Sequence, residues 1–210
     1  MTAPEPQELV TTTPLACPVW KSPPEPLDTP SHVVDIWRIR LPQAHHRECS
    51  HAARMTILRC YLGSDQAFEL GRQSGGKPYL APLGSGPEFN LSHTGGLALL
   101  AVSPQHPVGI DIERVRHLRD PLRIAKRVLP SNVTARLNQL HPDQLRHAFF
   151  NQWTRFEAIQ KSAGRGVFEA PIDAKLVDVY EFCPFDGFVA CIAVLTREKL
   201  TFRHFNFRES

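Results

Sequence analysis

Glu157 and Lys161 stand four residues apart in the stretch Trp153-Thr154-Arg155-Phe156-Glu157-Ala158-Ile159-Gln160-Lys161. On a helix that spacing stacks two side chains on one face with their Cβ atoms about 6 Å apart. A carboxylate and an ammonium then address one point, as a proton transfer coupled to charge stabilisation requires. A solvated ion pair on a helix surface has the same spacing, so the pair does not decide its own meaning. Asp111 and Glu113 form a second set, in Val108-Gly109-Ile110-Asp111-Ile112-Glu113. Side chains alternate along a strand, which puts both carboxylates on one face, about 7 Å apart, while Ile110 and Ile112 enter the core. Such carboxylates repel unless a cation sits between them, and oxygen-only ligands favour magnesium or manganese over zinc. The plain alternative is a strand running out into an acidic turn. Ser92-His93 and the Gly75-Gly76-Lys77-Pro78 turn complete the candidates. Adjacent Ser and His seldom have nucleophile and base geometry, and no G-x-S-x-G elbow is present, so a hydroxyl and an imidazole gripping phosphate oxygens is the more natural chemistry. Lys77 on a glycine-rich turn could approach a phosphate closely.

The elements that must position these groups follow from local patterning. Residues 144–163 read as a long helix that Gly164 and Gly166 can stop, glycine being free to adopt the left-handed cap conformation. Phe149, Phe150, Trp153, Phe156 and Ile159 form its apolar stripe. Residues 32–41 alternate as a half-buried strand, 52–62 read as a helix with Met55, Leu58 and Leu62 inward, and 71–87 are broken by glycine and proline. Phe89–Gly96 reads as a turn bearing Ser92 and His93, followed by a short apolar strand over 97–102. Residues 122–129 form a helix closed by Pro130. Strands are expected at 171–179 and 188–195, with a last one at 199–207. His45, His46, Cys49 and His51 fit no zinc-ligand spacing and read as a solvated loop before the helix.

Composition sets the class. The chain has 210 residues, 42% hydrophobic and 21% charged, with a net charge of +3 and pI near 8.7. No run approaches the roughly 18 apolar residues of a membrane span, and the first thirty residues lack the basic start and apolar core of a secretory signal. The charge is too mild to predict nucleic-acid binding and suits an anionic small molecule or an acidic partner. Five cysteines without C-x-x-C pairing read as reduced thiols of a cytoplasmic protein. Eight prolines within residues 1–30 preclude a helix or an interior strand there, so an extended or mobile arm is expected.

Taken together, Gly76-Lys77-Pro78, Asn90-Leu91-Ser92-His93, Gly109-Ile110-Asp111-Ile112-Glu113 and Trp153-Thr154-x-x-Glu157-Ala158-x-x-Lys161-x-x-Gly164-x-Gly166 resemble the signature of the 4′-phosphopantetheinyl transferases, in the larger, single-chain kind. The resemblance covers residues 27–195, and four motifs in the right order are far more specific than any one. It implies an α+β fold of two pseudo-symmetric halves, each a small antiparallel sheet packed on a long helix, with coenzyme A in the cleft between them. The implied division is a flexible proline-rich arm over 1–26, a first half over 27–104 and a second over 105–210. The implied reaction moves the phosphopantetheine arm of coenzyme A to a serine of an apo acyl or peptidyl carrier protein, releasing 3′,5′-ADP, in a cytoplasmic monomer without nucleic-acid or membrane partners. Carried over by position, Asp111, Glu113 and Glu157 would hold Mg²⁺, with Mn²⁺ as the alternative. Glu157 would take the serine proton, Lys161 would meet charge on the departing phosphate, and Ser92, His93 and Lys77 would bind phosphates.

Two positions depart from that pattern. The lysine usual before the glutamate is Phe156, and only a short link separates the Trp37 strand from the next helix. Arg47, Arg54 and Arg59 are the basic residues available to the shortened nucleotide wall. These departures support a second reading, a non-catalytic or weakly active relative that binds coenzyme A or a carrier protein.

Overall fold

A computed structural model describes residues 16–63, 67–170 and 172–208 of the chain. In order, its elements are β1 (Val33–Arg40), α1 (His46–Leu62), β2 (Glu69–Arg72), β3 (Pro78–Ala81), β4 (Glu88–Thr94), β5 (Leu97–Ser103), β6 (Val108–Arg114), α2 (Pro121–Val128), α3 (Ser131–Leu137), α4 (Pro142–Ser162), β7 (Val177–Phe182), β8 (Phe188–Leu195) and β9 (Thr201–Asn206). The architecture is α+β. A four-stranded sheet has the order β4-β5-β1-β9, a three-stranded sheet the order β6-β8-β7, and β2-β3 form a separate hairpin.

Apolar faces dictate the layering. Val34, Ile36, Leu97, Leu99 and Ala101 of the first sheet share one core with Val108, Ile110, Ile112, Ala190, Ile192 and Val194 of the second. The outer face of the first sheet carries Trp37, Ile39, Leu100 and Val102, against which Ala53, Ile57 and Leu58 of α1 pack. On the outer face of the second, Cys191 and Ala193 meet Ala158 and Ile159 of α4. Each sheet therefore has a helix outside it and the other sheet inside it, the arrangement that buries both faces of a strand pattern. This is why β1 is buried on both sides rather than half-buried: β5 and β9 flank it and apolar layers cover both faces. Its polar residue Asp35 is fully buried, held by Arg203 Nε at 2.7 Å and by the Tyr61 hydroxyl at 2.8 Å.

Several elements differ from the sequence expectation for identifiable reasons. Helix α1 begins at His46, so the histidine-rich stretch is its first turns and not a loop; Ile57 is buried where Met55 is half-buried. Residues 69–81 pair as a hairpin across the Gly75-Gly76 turn, closed by Gln73 N donating to Lys77 O at 2.9 Å. Ser92 and His93 lie in the strand β4, not in a turn; the turn is Gly95-Gly96, where both φ angles are positive. The strand expected at 171–179 starts at Val177; Pro171 lies outside the described residues. The last strand, β9, returns to the first sheet and pairs in parallel with β1, so the C-terminal segment completes the N-terminal sheet. Of the proline-rich arm, residues 1–15 lie outside the described residues. From Ala16 it runs extended, with Lys21 N donating to His204 O at 3.0 Å and Asn206 N to Lys21 O at 2.9 Å. No helix among the described residues is long and apolar enough to cross a membrane.

Candidate active site

Helix α4 begins with proline in its first turn, where the missing N–H costs nothing, and ends in a Schellman motif. Ala163 is the cap, Gly164 has φ +67°, Gly164 N donates to Lys161 O at 3.1 Å and Arg165 N to Gln160 O at 2.9 Å. This fixes the last turn, which carries Lys161. The helix lies so close on β6 that a Cβ at Gly109 would collide with the backbone of Ala158, Lys161 and Ser162. Glycine inside a strand is the sequence signal of such a close approach. Asp111, two residues along the same face, is thereby brought under Glu157 and Lys161.

Four predicted groups converge there. The Lys161 ammonium donates to Asp111 Oδ1 at 2.5 Å, lies 3.0 Å from Glu157 Oε2 and 3.4 Å from the Ser92 hydroxyl. Ser92 itself donates to Asp111 Oδ1 at 2.8 Å. Strand β4 reaches the second sheet because the Asn90 side chain accepts the Ile110 amide hydrogen at 2.9 Å. That bond, which spacing alone does not announce, sets Ser92 opposite Asp111. Burial alone would lower the Lys161 pKa, but Asp111 and Glu157 outweigh it and hold the ammonium above its ordinary value. Burial, then the Asp111 charge, pushes the Glu157 carboxyl up, with Lys161 opposing.

Glu113 follows on the same face of β6 and is paired with Arg116 at 2.9 Å. Burial raises its carboxyl, Arg116 offsets part of that, and Asp111 adds to it. Among the described residues no group of three or more His, Cys, Asp or Glu is gathered tightly enough to hold a metal ion as it stands. The donor chemistry nevertheless fits a hard divalent cation. Asp111 Oδ2 is buried with no hydrogen-bond partner, and two neighbouring carboxyls are held up by burial and by a like charge that a cation would relieve.

His93, alternating with Ser92, points the other way and is exposed. Its pKa is lowered by partial burial and then by the positive groups His46, Arg47 and Lys161. Arg54 contacts His51 at 2.7 Å, and its pKa is lowered by burial and by Arg72. His46 and Arg72 thus join the predicted Arg47 and Arg54, His46 because α1 starts there. Arg59 lies exposed in the last turn of α1, about 18 Å along the helix axis from Arg47, and is not brought to His93. Lys77 is 7% exposed, and its ammonium is 3.2 Å from Ser162 O and 3.5 Å from Glu88. It therefore ties the β2-β3 turn to the C-terminal end of α4, where a cation complements the orphan carbonyls. Phe156 turns away from the acids into the core with Leu129, Val133 and Leu137 and is 8% exposed.

Residues 107–199 match the family model of the 4′-phosphopantetheinyl transferase superfamily. The chain is 35% identical over 169 residues to the 4′-phosphopantetheinyl transferase HetI of Nostoc sp., covering 69% of this chain and 71% of that protein. A 4′-phosphopantetheinyl transferase of Bacillus subtilis is 31% identical over 62% of this chain and 59% of its own length. AcpT of Escherichia coli K12 is 37% identical over 60% and 63%. The chain thus spans about three fifths of the length of the latter two. With the matched segment holding β6 and α4, and Ser92 meeting them from β4, the chain belongs to the 4′-phosphopantetheinyl transferase superfamily.

Proposed function

We propose that the protein transfers the 4′-phosphopantetheine arm of coenzyme A to a serine hydroxyl of an apo acyl or peptidyl carrier protein, releasing 3′,5′-ADP, with Mg²⁺ as the metal. The observation that carries this reading is the convergence of Ser92, Asp111 and Glu157 on the Lys161 ammonium, between strands of both sheets and α4, in a chain of this family. Asp111, Glu113 and Glu157 are the residues that would hold the ion. When bound, it neutralises the diphosphate and makes the phosphorus a better electrophile.

The chain's own groups do the rest. Glu157, set beside Lys161 at the point where Asp111 and Ser92 also converge, is the carboxylate placed to accept the proton of a serine hydroxyl. Lys161 stays an ammonium and meets the charge that develops on the phosphate oxygens as the ester bond breaks. Ser92 orients Asp111 and can turn its hydroxyl to a phosphate oxygen. His93, His46, Arg47 and Arg54, with Arg59 at a distance, form a basic wall suited to the nucleotide phosphates of coenzyme A. Lys77, already engaged by Ser162 and Glu88, serves the phosphate side by fixing the Gly75-Gly76 turn beside α4.

Phe156 does not favour the non-catalytic reading. Its ring fills space between α4 and α2-α3 instead of lying beside the carboxylates. The decisive assay measures 3′,5′-ADP released from coenzyme A with an apo carrier protein and Mg²⁺. Release that requires the carrier serine supports transfer. Coenzyme A bound without release would leave only the binding role.

A further inference from the structure

Cys17 and Cys183 lie far apart in sequence and side by side in the fold. Cys17 belongs to the arm, and Cys183 follows the end of β7 in the turn to β8. The Cys183 amide donates to Ala16 O at 2.9 Å, so the two backbones run together at this point. Cys17 directly follows Ala16 in the chain, which sets it next to Cys183, and its thiol is among the groups that raise the Cys183 thiol. The register is held by contacts that do not involve sulfur. Trp20 packs edge-on against His204 at 5.3 Å and tilted against Phe182 at 6.4 Å. The Arg38 guanidinium lies 4.5 Å over the Trp20 ring and donates to Pro184 O at 2.8 Å. Lys21 is bonded on both sides to β9. Cys49 and Cys60 are on α1, and Cys191 is buried beneath α4, so neither thiol is set beside these three.

We propose that Cys17 and Cys183 form a reversible dithiol site, whose oxidant is a low-molecular-weight disulfide such as oxidised glutathione and whose product is an intramolecular disulfide. The exposed Cys17 reacts first. Its sulfur, giving up its proton, attacks one glutathione sulfur; the glutathione S–S bond breaks and one glutathione leaves as thiol. The Cys183 sulfur then loses its proton and attacks the Cys17 sulfur, expelling the second glutathione. Two thiols have given two electrons and two protons to one disulfide, which becomes two thiols. Burial first, and then Cys17, push the Cys183 thiol up to about 12, which makes Cys183 the poorer nucleophile and leaves the first attack to the exposed Cys17. The bond ties the arm, itself fastened to β9 of the first sheet, to the β7-β8 turn of the second. It therefore cross-links the two sheets whose apposition brings Ser92 to Asp111.

The test holds the reduced full-length protein in glutathione buffers of increasing oxidised fraction, quenches with acid, alkylates and measures intact mass and peptides. The expected result is two fewer alkyl groups than on the reduced protein and one cross-linked peptide pair joining Cys17 to Cys183, reversed by added thiol. Oxidation should raise the thermal midpoint by roughly 5 °C or more, because the closed loop spans most of the chain. Cys17→Ser and Cys183→Ser should each abolish both changes while leaving the reduced midpoint in place. Absence of the cross-link, its persistence in either variant, or pairing with Cys49, Cys60 or Cys191 would overturn the proposal. None of these readouts depends on transferase activity.

Discussion

Glu157 and Lys161 could be paired from their spacing alone, but their partner Asp111 lies 50 positions away from Lys161. Sequence showed that a carboxylate and an ammonium share a helix face; only the packing of α4 on β6 makes them share a third group. The proposed division of labour predicts that Glu157→Gln keeps coenzyme A binding, measured by calorimetry, and lowers transfer by about 100-fold or more. Unchanged transfer would remove Glu157 as the base. Phe156 was read in sequence as an apolar ring replacing a cation next to an anionic ligand. The fold places the ring in the cluster with Leu129 and Val133, beside a cavity of about 80 Å³ that Ile159, Gln152 and Arg155 also line. Phe156→Lys should therefore destabilise the protein by about 2 kcal/mol or more in urea unfolding, since its charge would replace a ring packed with Leu129 and Val133 and would stand near Arg155, and should lower activity. A gain in transfer without loss of stability would contradict that packing.

At the scale of elements, what was legible was what local periodicity encodes. Residues 108–114 and 142–162 declare their strand and helix through alternation, an apolar stripe and a glycine stop. The β2-β3 hairpin is hidden because Gly71, Gly75 and Gly76 read as breakers, although Gly75 and Gly76 form its tight turn and Gly71 lies in β2, where a Cβ would meet the Tyr79 ring. Ser92-His93 was hidden for the opposite reason: the following glycines drew the turn too early. The strand assignment matters chemically, since alternation sends Ser92 to the carboxylates and His93 to the basic wall. The contact of β6 with α4 rests on Gly109. Gly109→Ala should cost about 1–3 kcal/mol and reduce transfer further than the loss of folded protein explains, because the backbone of α4 must move and Lys161 with it. Wild-type activity in the fully folded variant would refute this use of the glycine.

Over the whole molecule, the sequence carried the α+β class and the family signature, but not the path of the C-terminus. Nothing local in residues 201–206 says that β9 returns to lie beside β1. This return also creates a pH-sensitive site. His204 is surrounded by Trp20, Tyr180 and Phe182, and burial lowers its pKa from 6.5 to about 4. Between those values the unfolded chain binds a proton that the folded chain does not. The neutral ring's contribution is therefore complete above pH 6.5 and is lost as pH falls from 6.5 toward 4. Urea midpoints at pH 7 and pH 4.5 should differ less in His204→Gln than in the natural protein; equal differences would mean that His204 takes no part.

The central claim is that this constellation transfers a phosphopantetheine arm. Intact-mass spectrometry of several apo acyl and peptidyl carrier proteins, incubated with the protein, coenzyme A and Mg²⁺, tests it most directly. The account predicts a gain of about 340 Da on the carrier serine, absent with Glu157→Gln. Carriers left at their apo mass, with coenzyme A bound and the protein folded, would contradict it.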